Sequence, residues 1–402
     1  MRIVVLAGGS DQIALIGELK KRGHYVILVD YFENPPARNH ADEHIQASTL
    51  DVERVKEIAV LKKAELICTA CTDQALLTVA NVSEQLGLPC YISYQTALNV
   101  TNKSYMKRRM METGIPTAGF VILDDVNLNR LEGMSFPMVV KPVDCNSSKG
   151  VKKVFDEKSL ETALKDAVSF SRTKTAIVEE FKEGTEISAD FYVEGGEPRY
   201  LCATSSAKIR NRDSFTILSS IYPVVNRQQE ERITEIAAQI ARSFGLQDCP
   251  LLIQLILGED SVDVIEFSAR MGGGSKYHLI KELSGVDIMS SYVDLILGGK
   301  PHVTPRRREG FCRMNYVYCR PGILDRVEGL DELKSDGVIS EFFQYKTSGM
   351  QISASATSGD RAAGYLVAAD TEEELKERIA LADAGMKVLS TDVEDIMIHG
   401  LE

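Results

Sequence analysis

The chain has 402 residues, of which 44% are apolar and 26% charged, with a net charge of −12. This length supports two or three domains with cores of their own, and the acidic balance argues against a general binder of nucleic acid or anionic membrane. No apolar run approaches the roughly 20 residues that span a bilayer. Eight cysteines lie scattered without zinc-type or disulfide-framework spacing, which reads as a reduced, cytoplasmic protein.

The opening residues, MRIVVLAGGS, read as a first strand (2–7) that runs straight into a helix, rather than as a leader. An amphipathic helix closes at Gly23, a second strand covers 25–30, a helix follows from 51, a third strand covers 65–70, and a third helix covers 73–86. Strand alternating with helix predicts a Rossmann-like parallel α/β domain over residues 1–101, wrapped on both faces. AGGS offers a phosphate cradle at a helix N-terminus, and Asp30 ends the second strand as an acid does in dinucleotide binders. The G-x-G-x-x-G pattern is not met, since Ser10 and Ile13 follow Gly8 and Gly9, and a tight turn explains both glycines equally well. The balance favours a small substrate at Gly9 and Ser10 over a dinucleotide.

From residue 102 to 305 the pattern becomes α+β. A basic helix opens at Lys103, and the strand FPMVVKP carries Lys141 to its end. A lysine is usually solvated surface, but this one follows four apolar residues and precedes a proline, so its stem leaves a buried strand. A polyphosphate needs point charges of that kind. The loop DCNSSKG follows, with backbone N–H groups that could close over phosphates, then a strand and a helix over 157–170. AIVEEFKEGTEIS ends a strand with Glu179 and Glu180 and places Glu186 seven residues after the first; acids at strand ends are also commonly solvated. A hairpin turns at 195–196, and a helix covers 228–244. A second hairpin turns near 258–260 and sets Gln254 against Glu266, with Arg270 and three glycines (272–274) after it. Two oxygen ligands completed by phosphate and water suit Mg2+, and Arg270 beside them would stabilise charge on a transferring phosphoryl group. The alternative is a structural Glu266–Arg270 ion pair, which needs none of the glycines. Residues 306–402 form a smaller α+β region ending in a helix over 371–389.

Taken in order, the lysine helix TNKSYMKRRMMETGIPT, the strand lysine FPMVVKP, the loop DCNSSKGV, the hinge VEEFKEGTEIS and the hairpin IQLILGEDSVDVIEFSARMGGG resemble the ATP-grasp superfamily of carboxylate–amine ligases. The resemblance covers most of the chain and is similar to biotin carboxylase, carbamoyl-phosphate synthase and the purine-pathway enzymes. ARMGGGSKYHLIKELSGVD looks especially like bacterial L-amino-acid ligases. The resemblance implies an ATP-grasp fold with a pre-ATP-grasp domain (1–101), an ATP-grasp domain (102–305, its lid about 115–182) and a C-terminal region (306–402) that completes the core.

It also implies roles. Lys103 and Lys141 would hold the ATP phosphates, and Ser147, Ser148, Lys149 and Gly150 would close over them. Glu179 would meet the adenine amino group, the backbone of Glu180, Phe181 and Lys182 would form the hinge, and Glu186 would take the ribose hydroxyls. Gln254 and Glu266 would ligate Mg2+, with Mn2+ as an alternative, and Arg270 would steady the γ-phosphate and acyl phosphate. Gln254 departs from the usual acid, Ser268 stands in place of the usual asparagine ligand, and Ser148 replaces a loop glycine. The substrate pocket is expected at Gly9, Ser10, Asp73, Gly273 and Gly274, with Lys208, Arg210 or Arg313 to hold a substrate carboxylate. The implied reaction joins a small carboxylate, an amino acid or related acid, to an amine and releases ADP and phosphate, without nucleic-acid or membrane partners and in a homodimer. Competing readings are a purine-type or carbamoyl-phosphate-synthase-like enzyme on another acid, a noncatalytic nucleotide sensor, and a nicotinamide oxidoreductase built on Gly8, Gly9 and Asp30.

Overall fold

The computed structural model describes residues 1–125, 128–145, 149–209, 216–259, 261–353 and 357–401. The N-terminal strands form a parallel four-stranded sheet in the order Glu43–Gln46, Tyr25–Asp30, Arg2–Leu6, Leu66–Cys68. Ile3 through Leu6 and Val26 through Val29 are fully buried, as strands covered on both faces must be. The helices Ser10–Lys21, Val52–Leu61 and Asp73–Leu86 connect and cover them. Every strand of this sheet therefore ends toward one edge, where residues Ala7–Asp11, Asp30 and Cys71–Gln74 line a cavity. Ligands collect at the carboxyl ends of parallel strands.

Asp30 is committed there to the backbone. Its two oxygens accept the N–H groups of Gly8 at 2.7 Å and Phe32 at 2.8 Å. The acid that a nicotinamide reading would give to a ribose thus pins the glycine turn, and a Cβ on Gly8 would lie 2.6 Å from Pro35.

A second, antiparallel sheet has the order Phe120–Leu123, Ala176–Glu180, Met138–Pro142, Lys152–Val154. The helix Glu157–Phe170 buries Leu160, Ala163, Leu164 and Ala167 against it, and Asp156 and Ser159 close its N-terminus as a capping box. The largest sheet has eight strands in the order Val262–Ser268, Cys249–Leu257, Thr185–Glu194, Glu197–Lys208, Ile217–Tyr222, Phe311–Val317, Ala363–Ala369, Glu341–Gln344. Its last three strands come from beyond residue 306, so the C-terminal segment extends the same sheet that carries the hairpin. A three-stranded sheet of Gln351–Ile352, Gly322–Glu328 and Lys387–Ser390 sits with the helix Glu372–Gly385.

The sequence reading passed over the helices Tyr94–Thr101, Lys276–Ser284 and Ile288–Ile296. The last two are short and largely buried, packing Leu279, Ile280, Leu283, Met289, Tyr292 and Val293 into the main core. Each runs only nine residues, shorter than the stretch over which a 3.6-residue period stands out.

Candidate active site

The hairpin Cys249–Leu257/Val262–Ser268 pairs Gln254 directly with Glu266 and Leu252 with Ser268. Facing residues on antiparallel neighbours project to the same side. On the other side of Gln254 stands Ser188. Ser188, Gln254, Glu266 and Ser268 all line one cavity of about 1090 Å³, together with Gly9, Ser10, Asp73, Lys103, Lys149, Arg270, Gly273 and Gly274. The structure thus gathers the expected metal ligands, one phosphate lysine, the arginine and five expected substrate-pocket residues on one wall set.

Electrostatics hold these groups in their charged forms. Lys103 opens the helix Lys103–Glu112, whose Asn102 cap accepts the Ser104 N–H. Its Nζ lies 3.0 Å from the Glu266 carboxylate and donates to the Cys145 carbonyl at 2.9 Å. Burial would raise the Glu266 pKa, but Lys103, Lys141 and Arg270 outweigh it and hold the carboxyl at about 2. Glu266 is therefore an anion at any working pH, as a carboxylate that ligates Mg2+ must be. One carboxylate, one amide oxygen and one hydroxyl fit a metal that takes its remaining ligands from phosphate and water. Among the described residues no cluster of three or more His, Cys, Asp or Glu forms a self-sufficient metal cage.

A pH consequence follows from the same pair. Because Glu266 titrates below its ordinary 4.5, the pair stabilises the fold fully above that value, and the contribution is lost as pH falls toward about 2. Urea unfolding followed from pH 6 downward should show wild type losing stability below pH 4.5 more steeply than Glu266→Gln, which lacks the contribution throughout.

Arg270 does not pair with Glu266. Its Nε donates to Asp73 Oδ1 at 2.7 Å, its Nη2 bonds Asp73 Oδ2, and its Nη1 donates to the Met271 carbonyl at 2.6 Å. Burial would lower its pKa, and Asp73 raises it further than burial lowers it. In place of the Glu266–Arg270 pair that stood as the alternative in the sequence, Arg270 forks to an acid 197 residues away, a bidentate geometry that fixes the guanidinium plane. Asp73, expected at the substrate, orients Arg270.

Lys141 enters a second buried knot. Its Nζ lies 2.5 Å from Glu179 Oε2, and Lys107 Nζ lies 3.0 Å from Oε1. Lys107 also donates to Thr117 Oγ1 and the Val264 carbonyl. Burial would raise the Glu179 pKa, but the two lysines pull it down, while burial lowers that of Lys107. Both Glu179 oxygens, expected at an adenine amino group, face lysines here. The Glu180 and Phe181 N–H groups go to the Gly119 and Pro137 carbonyls, Glu180 also faces Lys182 at 3.3 Å, and Lys153 Nζ stands 3.3 Å from the Phe181 ring centroid. Glu186 and Lys208, assigned separately to ribose and substrate, face each other at 2.5 Å.

Among the described residues, Lys141, Glu179, Lys182, Glu186, Lys208 and Arg313 lie outside the cavity lining. Arg313 donates to Ser219 Oγ at 3.0 Å. The structure therefore does not bring Arg313 or Lys208 to the pocket where a substrate clamp was expected. Gly150 is in the left-handed region and its Cβ would meet the Phe170 ring at 2.9 Å. Ser147, Ser148 and Arg210 lie outside the described residues.

Sequence reasoning missed four charged groups of this region: Asp11, Lys107, Lys276 and Arg361. Lys276 lies 3.3 Å from Asp190 and from Thr204 Oγ1. Gly274, with a φ of +73°, leaves room for Arg361: a Cβ there would stand 2.6 Å from Arg361 Nη1 and 3.0 Å from Tyr316 Oη. Gly274→Ala should therefore cost about 1–2 kcal/mol from the left-handed backbone alone, visible as a lower midpoint in thermal unfolding.

Residues 134–277 match the family model of the ATP-grasp domain. The phosphoribosylamine–glycine ligase of Thermococcus kodakarensis is 24% identical over 321 residues, 74% of this chain and 74% of that protein. The L-arginine-specific L-amino acid ligase of Bacillus subtilis is 23% identical over 373 residues, 86% of each. The L-amino acid ligase of Bacillus licheniformis has the same fold, with a TM-score of 0.80 at 20% identity, covering 97% of this chain and 98% of that one. Residues 134–277 therefore carry an ATP-grasp domain, and the chain shares its fold with enzymes of the ligase class. Among the described residues no helix is long and apolar enough to cross a membrane.

Proposed function

We propose that this chain is an ADP-forming ligase that activates a small carboxylate as an acyl phosphate and joins it to an amine. The observation that carries the reading is the Gln254–Glu266 cross-strand pair, flanked by Lys103 and by the Arg270–Asp73 fork, on one cavity wall. A carboxylate is a poor acyl donor. Its attack on the γ-phosphorus forms a carbon–O–P link and breaks the bond to ADP, and the amine nitrogen then displaces phosphate from the acyl carbon.

This chemistry asks for positioning and charge rather than a protein nucleophile. Gln254 and Glu266, with Ser268 two pairs further along on the same face, would hold Mg2+, or Mn2+ in its place, which supplies charge neutralisation across the phosphates. Lys103 is already at hydrogen-bonding distance from Glu266 and can turn to a phosphate oxygen. Lys141, steered by Glu179, and Lys149 supply further positive charge. Arg270 is held by Asp73 so that its remaining edge faces the transferring group. Gly273 and Gly274 allow close approach of the acid. The partners are small molecules, a cytoplasmic setting supplies ATP and magnesium, and a homodimer is the assembly this reading expects.

ATP-to-ADP turnover with pooled amino acids and Mg2+ tests the reading. Turnover that depends on particular pools supports it; ATP binding with no turnover in any pool of amino acids or small acids favours the sensor instead.

A further inference from the structure

Two opposite charges reach this cavity without meeting each other. Arg361, 7% exposed, lies with its guanidinium carbon 3.6 Å from the centroid of the Tyr316 ring. Its Nε donates to Tyr318 Oη at 3.2 Å, and its Nη2 approaches Ser358 Oγ at 3.4 Å and the Ile217 carbonyl at 3.5 Å. Among the described residues Nη1 has no acceptor, and no carboxylate lies within ion-pair distance of the guanidinium. A buried cation left without an anion is costly, so a site that keeps one is built to receive an anion from outside.

Asp11 stands on the other side of Gly274. Its oxygens accept the N–H groups of Ser275 at 2.8 Å and Gly274 at 3.2 Å. Burial raises its pKa against the pull of those two N–H groups, and among the described residues no cation pairs with it within 4 Å, Arg270 and then Arg361 acting on it only at longer range. Oδ1 also accepts the Ser275 hydroxyl at 3.5 Å, which leaves Oδ2 a further lone pair for a donor from the cavity. Asp11, Arg270, Gly274 and Arg361 all line that cavity, and the Arg270 guanidinium is where the acyl phosphate would form.

We propose that Arg361 and Asp11 together seat one α-amino acid, the amine substrate: Arg361 takes the carboxylate that does not react, and Asp11 takes the amino group. The assignment rests on the ligase reading and names the class of its nucleophile. Gly274 is the spacer, since any side chain there would strike Arg361 Nη1. The order Arg361, Asp11, Arg270 points the amino group toward the activated acid. A lone carboxylate beside an ammonium neutralises both protein charges, whereas a phosphate dianion on Arg361 would face the Asp11 carboxylate.

Binding of the twenty L-amino acids, of their carboxamides and of ribose 5-phosphate, each followed by thermal shift and titration calorimetry with and without MgATP, tests this directly. At least one amino acid is expected to bind wild type, and its carboxamide and its N-acetyl form to bind about 10- to 100-fold more weakly, as for loss of a charged hydrogen-bond partner. Arg361→Met should weaken the acid by the same factor, leave the weak carboxamide binding unchanged, and retain MgATP binding. Asp11→Asn, which keeps one oxygen for the Ser275 N–H but sets its amide nitrogen beside the Gly274 N–H, should erase the preference for the free amine, with thermal unfolding to show that the variant is folded. The proposal is overturned if acid and carboxamide bind alike, if either folded variant keeps wild-type discrimination, or if only ribose 5-phosphate binds. Amino-acid binding of this pattern without ATP turnover would uphold the seat while refuting the ligase reading.

Discussion

Glu266→Gln is expected to lower MgATP-dependent turnover on the order of 10³-fold, the scale on which a single electrostatic contact to a transferring group acts. The substitution keeps the shape of the side chain and removes its charge. Glu266 is the only carboxylate in the Gln254–Glu266–Ser268 row, so no neighbour can take over as the anionic metal ligand. Lys103, 9% exposed at its side chain, would keep its bond to the Cys145 carbonyl but lose its anion. Stability should therefore fall modestly while turnover collapses. Steady-state rates across a Mg2+ titration, with ATP binding and thermal unfolding as controls, separate the two. A variant that retains more than about a tenth of the wild-type rate at saturating Mg2+ would remove Glu266 from the centre of the account, since that is a loss near 1.4 kcal/mol.

Glu179→Gln should have the largest effect on the fold. Its carboxylate is the anion for two lysines at once, Lys141 at 2.5 Å and the wholly buried Lys107 at 3.0 Å. Breaking a buried pair by removing one partner costs about 3–5 kcal/mol, because the charge left behind has lost both water and counter-ion. Burial already lowers the pKa of Lys107, and without Glu179 it would be driven further toward the neutral amine. Denaturant unfolding should show the loss, and Lys107→Met placed on top of Glu179→Gln should restore part of it. A loss below about 1 kcal/mol, in the range of exposed pairs, would mean that this knot is wetter than its burial indicates.

These two sites differ in how far the sequence discloses them. The hairpin was readable, as two strand-like apolar runs separated by a short turn near Gly258, but the exact pair was not: the turn sets Leu257 to Leu255 against Val262 to Val264, and a bulge beyond Leu255 shifts the register by one to bring Glu266 opposite Gln254. The parallel N-terminal sheet was readable because buried strands and amphipathic helices alternate with different periods. The partners of the charges were not readable. Arg270 and Asp73 are 197 residues apart, and which acid meets which base depends on how the N-terminal sheet docks beside the hairpin. Lys107 looks like one more surface lysine on a basic helix, and Arg361 like one more charge before a strand. Neither period nor composition marks a charged residue as buried when its counter-charge comes from another layer of the fold. That Lys208 and Arg313 do not line this cavity has the same reason: in a strand the side is legible, but what covers that side is not.

The most direct test of the central claim is transfer of oxygen from the acid to the released phosphate. Pooled amino acids carrying 18O in their carboxylates would be turned over with MgATP in unlabelled water, and the phosphate analysed by mass. Passage through an acyl phosphate predicts one 18O in each phosphate released, because the carboxylate oxygen that attacks the γ-phosphorus leaves with it. Phosphate formed without label while ADP accumulates would show that water attacks ATP, and would contradict the account.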